Sequence, residues 1–298
     1  IWGLLFSFPF LALRSFLVGI TQTKALNMAA FTAVLVNIPL NWLLIFGFDM
    51  GISGAAIASS FAEMCSLAVL AAYMFRHIDK KVYSLYWHID ITILKEVFSI
   101  SVWSMLQFFT SVAIWFLFFV AIERLGETEL AVSNIIRSVS ALFSVIVNAL
   151  AGVTGSLVSN LIGAGEKKQV FPLCHKIIRL GYATGIPLIA FALFFHQHII
   201  GAYTENPAIV QLAWPPFLVM LLNYFFALPS YVYLNAVTGT GATRTVFIFQ
   251  VITTIAYLFC LWGFGYCNVP LAAYWAVEYL YVILLGTQSV IYLKYKQY

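Results

Sequence analysis

The sequence predicts an all-α fold, a polytopic membrane helical bundle of nine spans. Three observations point there. Of the 298 residues, 63% are hydrophobic and 9% charged, against about 45–50% and about 25% in an ordinary soluble domain. Apolar runs of about 20 residues recur along the whole chain, each long enough to cross a ~30 Å hydrocarbon core as a helix. Lys and Arg also alternate between successive loops, as they do when a chain is threaded back and forth through a bilayer.

The spans, taken between polar breaks, are 1–19, 25–48, 51–75, 97–122, 130–152, 177–198, 208–235, 246–267 and 269–292. The first is followed by Lys24, the third by Arg76, Lys80, Lys81 and Lys95, the fifth by Lys167, Lys168 and Lys176, and the seventh by Arg244. The tail after the ninth carries Lys294 and Lys296. Loops after the second, sixth and eighth spans hold no Lys or Arg, and Arg124 after the fourth stands among Glu123, Glu127 and Glu129. The positive-inside rule then puts the first set of loops and the C-terminus in the cytoplasm. A closed barrel would need alternating segments of about 10 residues, and none is evident.

Other function classes are poorly served. A formal net charge of +4 is small for nucleic-acid binding. Cys65, Cys174, Cys260 and Cys267 form no CxxC pair, which argues against a disulfide framework or a metal site. The histidines sit in loops or at span ends, and His196 and His198 are too closely spaced for a helical zinc pair. HExxH, GxSxG and P-loop patterns are absent. The chain is therefore expected not to be an enzyme, with a membrane-embedded lipid-modifying enzyme as the alternative from another class.

An internal repeat organises the spans. "PFLALRSFLVGITQTK" (9–24) matches "PSYVYLNAVTGTGATR" (229–244) at Pro9 and Pro229, Gly19 and Gly239, Thr23 and Thr243, and Lys24 and Arg244. "LLIFGFDMGISGAA" (43–56) then meets "LWGFGYCNVPLAA" (261–273). Spans one to three thus resemble spans seven to nine, a parallel repeat with a six-helix period. The expected parent has six plus six helices with both termini inside, and three of those helices would lie upstream of Ile1, where no signal peptide is evident. The expected domains are 1–76, half of an N-lobe; 77–96, a cytoplasmic linker with Tyr83, Tyr86 and Trp87 at the interface; and 97–298, a C-lobe of six spans.

Ionisable groups at bilayer depth cost at least ~2.5–3.5 kcal/mol to insert, so each raises a functional question. Glu63 and Glu278 fall at nearly equivalent depths in the two repeats. They could carry a proton or cation, or serve as fixed partners of Arg14 and Arg137. Asn37 and Asn41 stand one turn apart around Pro39. Span four carries Gln107, Thr110 and Ser111 between Trp103 and Trp115, a polar patch suited to a flat cationic or amphiphilic ligand. Pro39, Pro187, Pro215, Pro216 and Pro229 each remove a helical N–H inside a span.

Three stretches resemble the multidrug and toxic compound extrusion (MATE) family of secondary transporters: "NIPLNWLLIFGFDMGISGAAIASSFAE" (37–63), "IERLGETELAVSNIIRS" (122–138) and "VSNLIGAGEKKQV" (158–170). The resemblance implies helices four to twelve of a twelve-helix antiporter that imports Na+ or H+ and exports organic cations or amphiphilic compounds by alternating access. It implies no cofactor, a small-molecule partner, a monomer in the cytoplasmic (inner) membrane, and a multidrug efflux role. Asn37 matches the family's Asn, whereas Asn41 stands where many members have an acid. An amide cannot hold a proton but can coordinate a cation. Asn37, Asn41, Glu63 and Glu278 are the ion-coupling candidates; Gln107, Thr110, Ser111, Trp103, Trp115 and Arg137 are the substrate-cavity candidates. The superfamily's lipid-linked oligosaccharide flippases are the runner-up; their cavities tend to hold several cationic residues, and here only Arg14 and Arg137 could serve.

Overall fold

A computed structural model describes residues 3–79, 82–83, 90–267, 269–296 and 298, and everything described is helix or short connection. Among the described residues, eight helices are long and apolar enough to cross a membrane, and a shorter apolar helix precedes them. The described part of the chain divides into two compact units, 1–89 and 90–298.

The first unit contains α1 (Leu4–Gly19), α2 (Thr23–Trp42), a π-helical turn (Leu43–Gly47) and α3 (Gly51–His77). α3 packs on both α1 and α2. Its buried residues, Gly54, Ala58, Ala62, Ser66 and Leu70, recur every fourth position, and that stripe of mostly small side chains lets a neighbouring backbone approach closely. Ala25 and Ala29 of α2 are buried, and the Ser66 hydroxyl donates to the Ala29 carbonyl at 3.1 Å.

The second unit contains α4 (Ile91–Glu123), α5 (Glu127–Gly163), a 3₁₀ turn (Lys167–Gln169), α6 (Val170–Phe194), the short α7 (His196–Gly201), α8 (Pro207–Gly239), α9 (Thr243–Phe264) and α10 (Leu271–Tyr295). Asp90 caps α4 by accepting from the Thr92 and Ile93 backbone N–H groups at 2.7 and 3.4 Å. Asn206 caps α8, where Pro207 begins the helix. α8 is apolar on all sides and packs against α5, α6 and α10, while α9 packs against α4 and α10.

Prolines in these helices leave carbonyls to be satisfied from elsewhere. Pro229 removes the helical donor of the Phe225 carbonyl, and the Tyr182 hydroxyl of α6 donates to it at 2.7 Å. The reciprocal bond runs from the Tyr224 hydroxyl of α8 to the Gly181 carbonyl, also at 2.7 Å. Gly185 makes room for the Tyr224 ring.

Three expectations change. The fifth span was expected over 130–152, but α5 has 37 residues, about 56 Å at 1.5 Å per residue, well beyond the hydrocarbon core. Its polar end, Ser159 and Asn160, continues the helix because those side chains can face water there. The sixth span begins at Val170, not 177, and the fourth at Ile91, not 97. Residues 91–96, expected in the linker, are therefore the first turns of α4. Of the rest of that segment, Lys80, Lys81, Tyr86 and Trp87 lie outside the described residues, and the Tyr83 ring sits edge-on to Phe16 with centroids 5.8 Å apart.

Candidate functional site

The amides of α2 meet α3. The Asn41 Nδ2 group donates to Asn37 Oδ1 at 2.8 Å, and Asn37 Nδ2 donates to Ser59 Oγ of α3 at 3.4 Å. Asn41 Oδ1 is buried and accepts no hydrogen bond. Pro39, between the two amides, also leaves the Leu35 carbonyl without its i+4 helical donor. A buried oxygen left unpaired costs about 1–3 kcal/mol, so this corner of α2 has an acceptor available to a cation, a water or a ligand hydroxyl. The same α2–α3 interface would have to be reorganised to hold a proton, since no acid is present among these residues.

One to two turns farther along α3, Glu63 accepts a short hydrogen bond from the Ser7 hydroxyl of α1. That hydroxyl also reaches the Gly3 carbonyl, at 3.0 Å.

In the second unit, Glu278 of α10 accepts from the Tyr257 hydroxyl of α9 at 2.7 Å. Gln250 of α9, only 1% exposed, donates from its amide to the Tyr281 hydroxyl at 2.5 Å and to Ser111 Oγ of α4 at 3.2 Å. The Tyr257 and Tyr281 rings meet edge to face, centroids 5.7 Å apart. Three helices, α4, α9 and α10, thus share one polar cluster.

The pairing of the carboxylates with Arg14 and Arg137 is not what forms. Among the described residues both acids are held by hydroxyls, and both arginines are exposed. The Arg137 guanidinium lies over the Phe119 ring, 5.2 Å from its centroid.

The span-four candidates divide along α4. Ser111 joins Gln250, and the Thr110 hydroxyl turns back to the Leu106 carbonyl at 2.8 Å. Gln107 forms no hydrogen bond among the described residues and is half-buried. Trp103 packs on Phe247 of α9, with the Arg244 guanidinium 5.4 Å from its ring centroid. Trp115, about 18 Å along the helix, meets Trp275 and Phe119. The two tryptophans therefore bound opposite ends of the patch.

Ser59, Ser7, Gln250, Tyr257 and Tyr281 did not stand out in the sequence, because hydroxyls and a lone amide are common in spans. The internal repeat held a usable signal. Asn37 lies fourteen residues after Thr23, and Tyr257 fourteen after Thr243.

The MatE family model matches residues 104–263, more than half of the chain. The chain belongs to the MatE family. The multidrug resistance protein NorM of Vibrio cholerae is 25% identical over 211 residues, covering 68% of this chain and 46% of NorM. Protein DETOXIFICATION 8 of Arabidopsis thaliana is 30% identical over 170 residues, 52% of this chain and 33% of that protein. Among solved structures, the Vibrio cholerae MATE transporter VcmN in its bent form matches with a TM-score of 0.83 at 16% identity, over 99% of this chain and 68% of VcmN. A MOP superfamily transporter from Pyrococcus furiosus matches with a TM-score of 0.78 at 17% identity, over 90% of this chain and 61% of that one. These structural likenesses establish the fold. The MatE chain spans about half the length of the curated relatives it matches.

Proposed function

We propose that this MatE chain works as a cation-coupled antiporter that exports amphiphilic or cationic organic compounds by alternating access. The observation that carries the reading is the α2–α3 amide site within a chain of this family: a buried, unpartnered Asn41 oxygen beside Asn37 and Ser59. Neutral amide and hydroxyl oxygens suit a Na+ ion, and the absence of an acid at Asn41 disfavours a proton at that point. Glu63, bonded to Ser7, borders the same unit as a further coupling group. The names of NorM and its relatives, multidrug resistance proteins, support the substrate class.

On this reading Gln107, Thr110 and Ser111 give the organic cation polar contacts, and Trp103 and Trp115 give aromatic faces, each worth about 0.5–2 kcal/mol to a cation. The Arg137 guanidinium lies over the Phe119 ring, which leaves few cationic groups to recruit an anion. That favours organic cations over pyrophosphate-linked lipids. The chain acts as a monomer in the cytoplasmic membrane, with residues 1–76 in one lobe, a linker from 77 that ends where α4 begins at Ile91, and the remaining helices in the other lobe.

Ethidium efflux from cells expressing the native protein, with sodium and proton gradients imposed separately, tests the function. Efflux is expected to stop when both gradients are collapsed. Asn41→Leu is expected to slow sodium-driven efflux about tenfold or more, equivalent to about 1.4 kcal/mol on the rate-limiting step. Efflux unaffected by loss of both gradients would sink the coupling, and an unaffected Asn37→Leu/Asn41→Leu variant would reduce the amides to packing.

A further inference from the structure

The polar cluster of the second unit joins α9 and α10, the helices that the repeat pairs with α2 and α3 of the amide site. α2 begins at Thr23 and α9 at Thr243, the matched threonines of the repeat. Asn37 and Tyr257 occupy the same position on those helices. Each reaches the next helix of its unit in chain order: Asn37 to Ser59, the ninth residue of α3, and Tyr257 to Glu278, the eighth residue of α10. The two bonds join corresponding helices, although the repeat aligns Ser59 with Ala276 rather than Glu278, and only the second contains a titratable group.

We propose that Glu278, held by Tyr257, is a proton-binding site in the second unit, distinct from the cation site at Asn37 and Asn41. The inference rests on the antiport reading above. Among the described residues Glu278 has no basic partner, so in an apolar interior it stays neutral by binding a proton or a metal cation. A metal cation needs several converging oxygens. Here, among the described residues, the one group bonded to the carboxylate is the Tyr257 hydroxyl. That arrangement suits a proton. The titratable groups facing Glu278 are Tyr231 from α8, Tyr257 from α9 and Tyr281 from α10 itself. The carboxylate binds one proton to become the neutral acid and returns it to water when access changes sides; no other bond is made or broken.

Two measurements on the native transporter test this. In proteoliposomes containing a pH-sensitive dye, ethidium should drive proton movement, and Glu278→Gln should reduce that movement about tenfold or more. Infrared difference spectra on substrate addition should contain the carbonyl stretch of a protonated carboxylic acid. Glu278→Gln should remove that band, and Tyr257→Phe should move its frequency through loss of the hydrogen bond. The spectra remain decisive if a variant transports poorly. A band that survives Glu278→Gln, or proton movement unchanged in that variant, overturns the site and leaves antiport standing. A wild type that moves no ethidium under either gradient overturns antiport and the site together.

Discussion

The Phe225 carbonyl would be an orphan inside the bundle, because Pro229 carries no N–H; Tyr182 supplies the missing donor from α6 at 2.7 Å. Tyr182→Phe keeps the ring and removes the donor. It is expected to lower stability by about 1–3 kcal/mol, the cost of an unsatisfied buried acceptor, read as a lower Tm in detergent with ethidium binding retained at lower temperature. An unchanged Tm would mean that another group reaches that carbonyl. At the amide site the two bonds differ in length, 2.8 Å within α2 against 3.4 Å to Ser59, and a bond near the outer limit contributes less. Ser59→Ala is thus expected to slow sodium-driven efflux less than Asn41→Leu does; the reverse order in a rate assay would make Ser59 the principal ligand. Asn37 and Asn41 were legible because amides beside a proline are conspicuous among aliphatics. Tyr257 was not, since a tyrosine in a span rich in aromatics says nothing until its hydroxyl is seen on Glu278.

Helix contacts in this chain depend on small residues meeting larger ones. An added Cβ on Gly286 of α10 would come within 3.0 Å of Ser230 Cβ on α8, whereas one on Gly263 of α9 would meet nothing. Gly286→Val is expected to cost about 1–3 kcal/mol through overpacking, and Gly263→Ala to stay within about 0.5 kcal/mol of wild type. Thermal unfolding of the two variants side by side checks the pair, and equal losses would refute the close α8–α10 crossing. The existence and order of the helices followed from apolar run length alone. Their ends did not: hydropathy marks where lipid stops, and α5 runs on to Gly163 through Ser159 and Asn160, polar residues that a helix tolerates once it has left the hydrocarbon. The α4–α9 contact was likewise hidden, because Ser111 and Gln250 are 139 residues apart and no periodicity links them.

Across the whole chain, orientation is governed by which loops carry Lys and Arg, since a cationic loop is held on the cytoplasmic side during insertion. The loop between α9 and α10 has none, while the end of α10 and the tail beyond it carry Lys294 and Lys296. These two ends of one 25-residue helix must then face opposite compartments. Cys267 is exposed in that loop, whereas Cys174 is buried and Cys65 and Cys260 are only partly accessible. In a variant keeping Cys267 as the sole cysteine, a membrane-impermeant maleimide added to intact cells is expected to label the protein. With Cys267 also replaced and Lys296→Cys introduced, labelling is expected only after the membrane is opened. Labelling of Lys296→Cys from outside, with Cys267 protected until lysis, would invert the topology. Labelling of both from outside would mean that α10 does not cross the bilayer, and the repeat pairing it with α3 would then lose its membrane rationale.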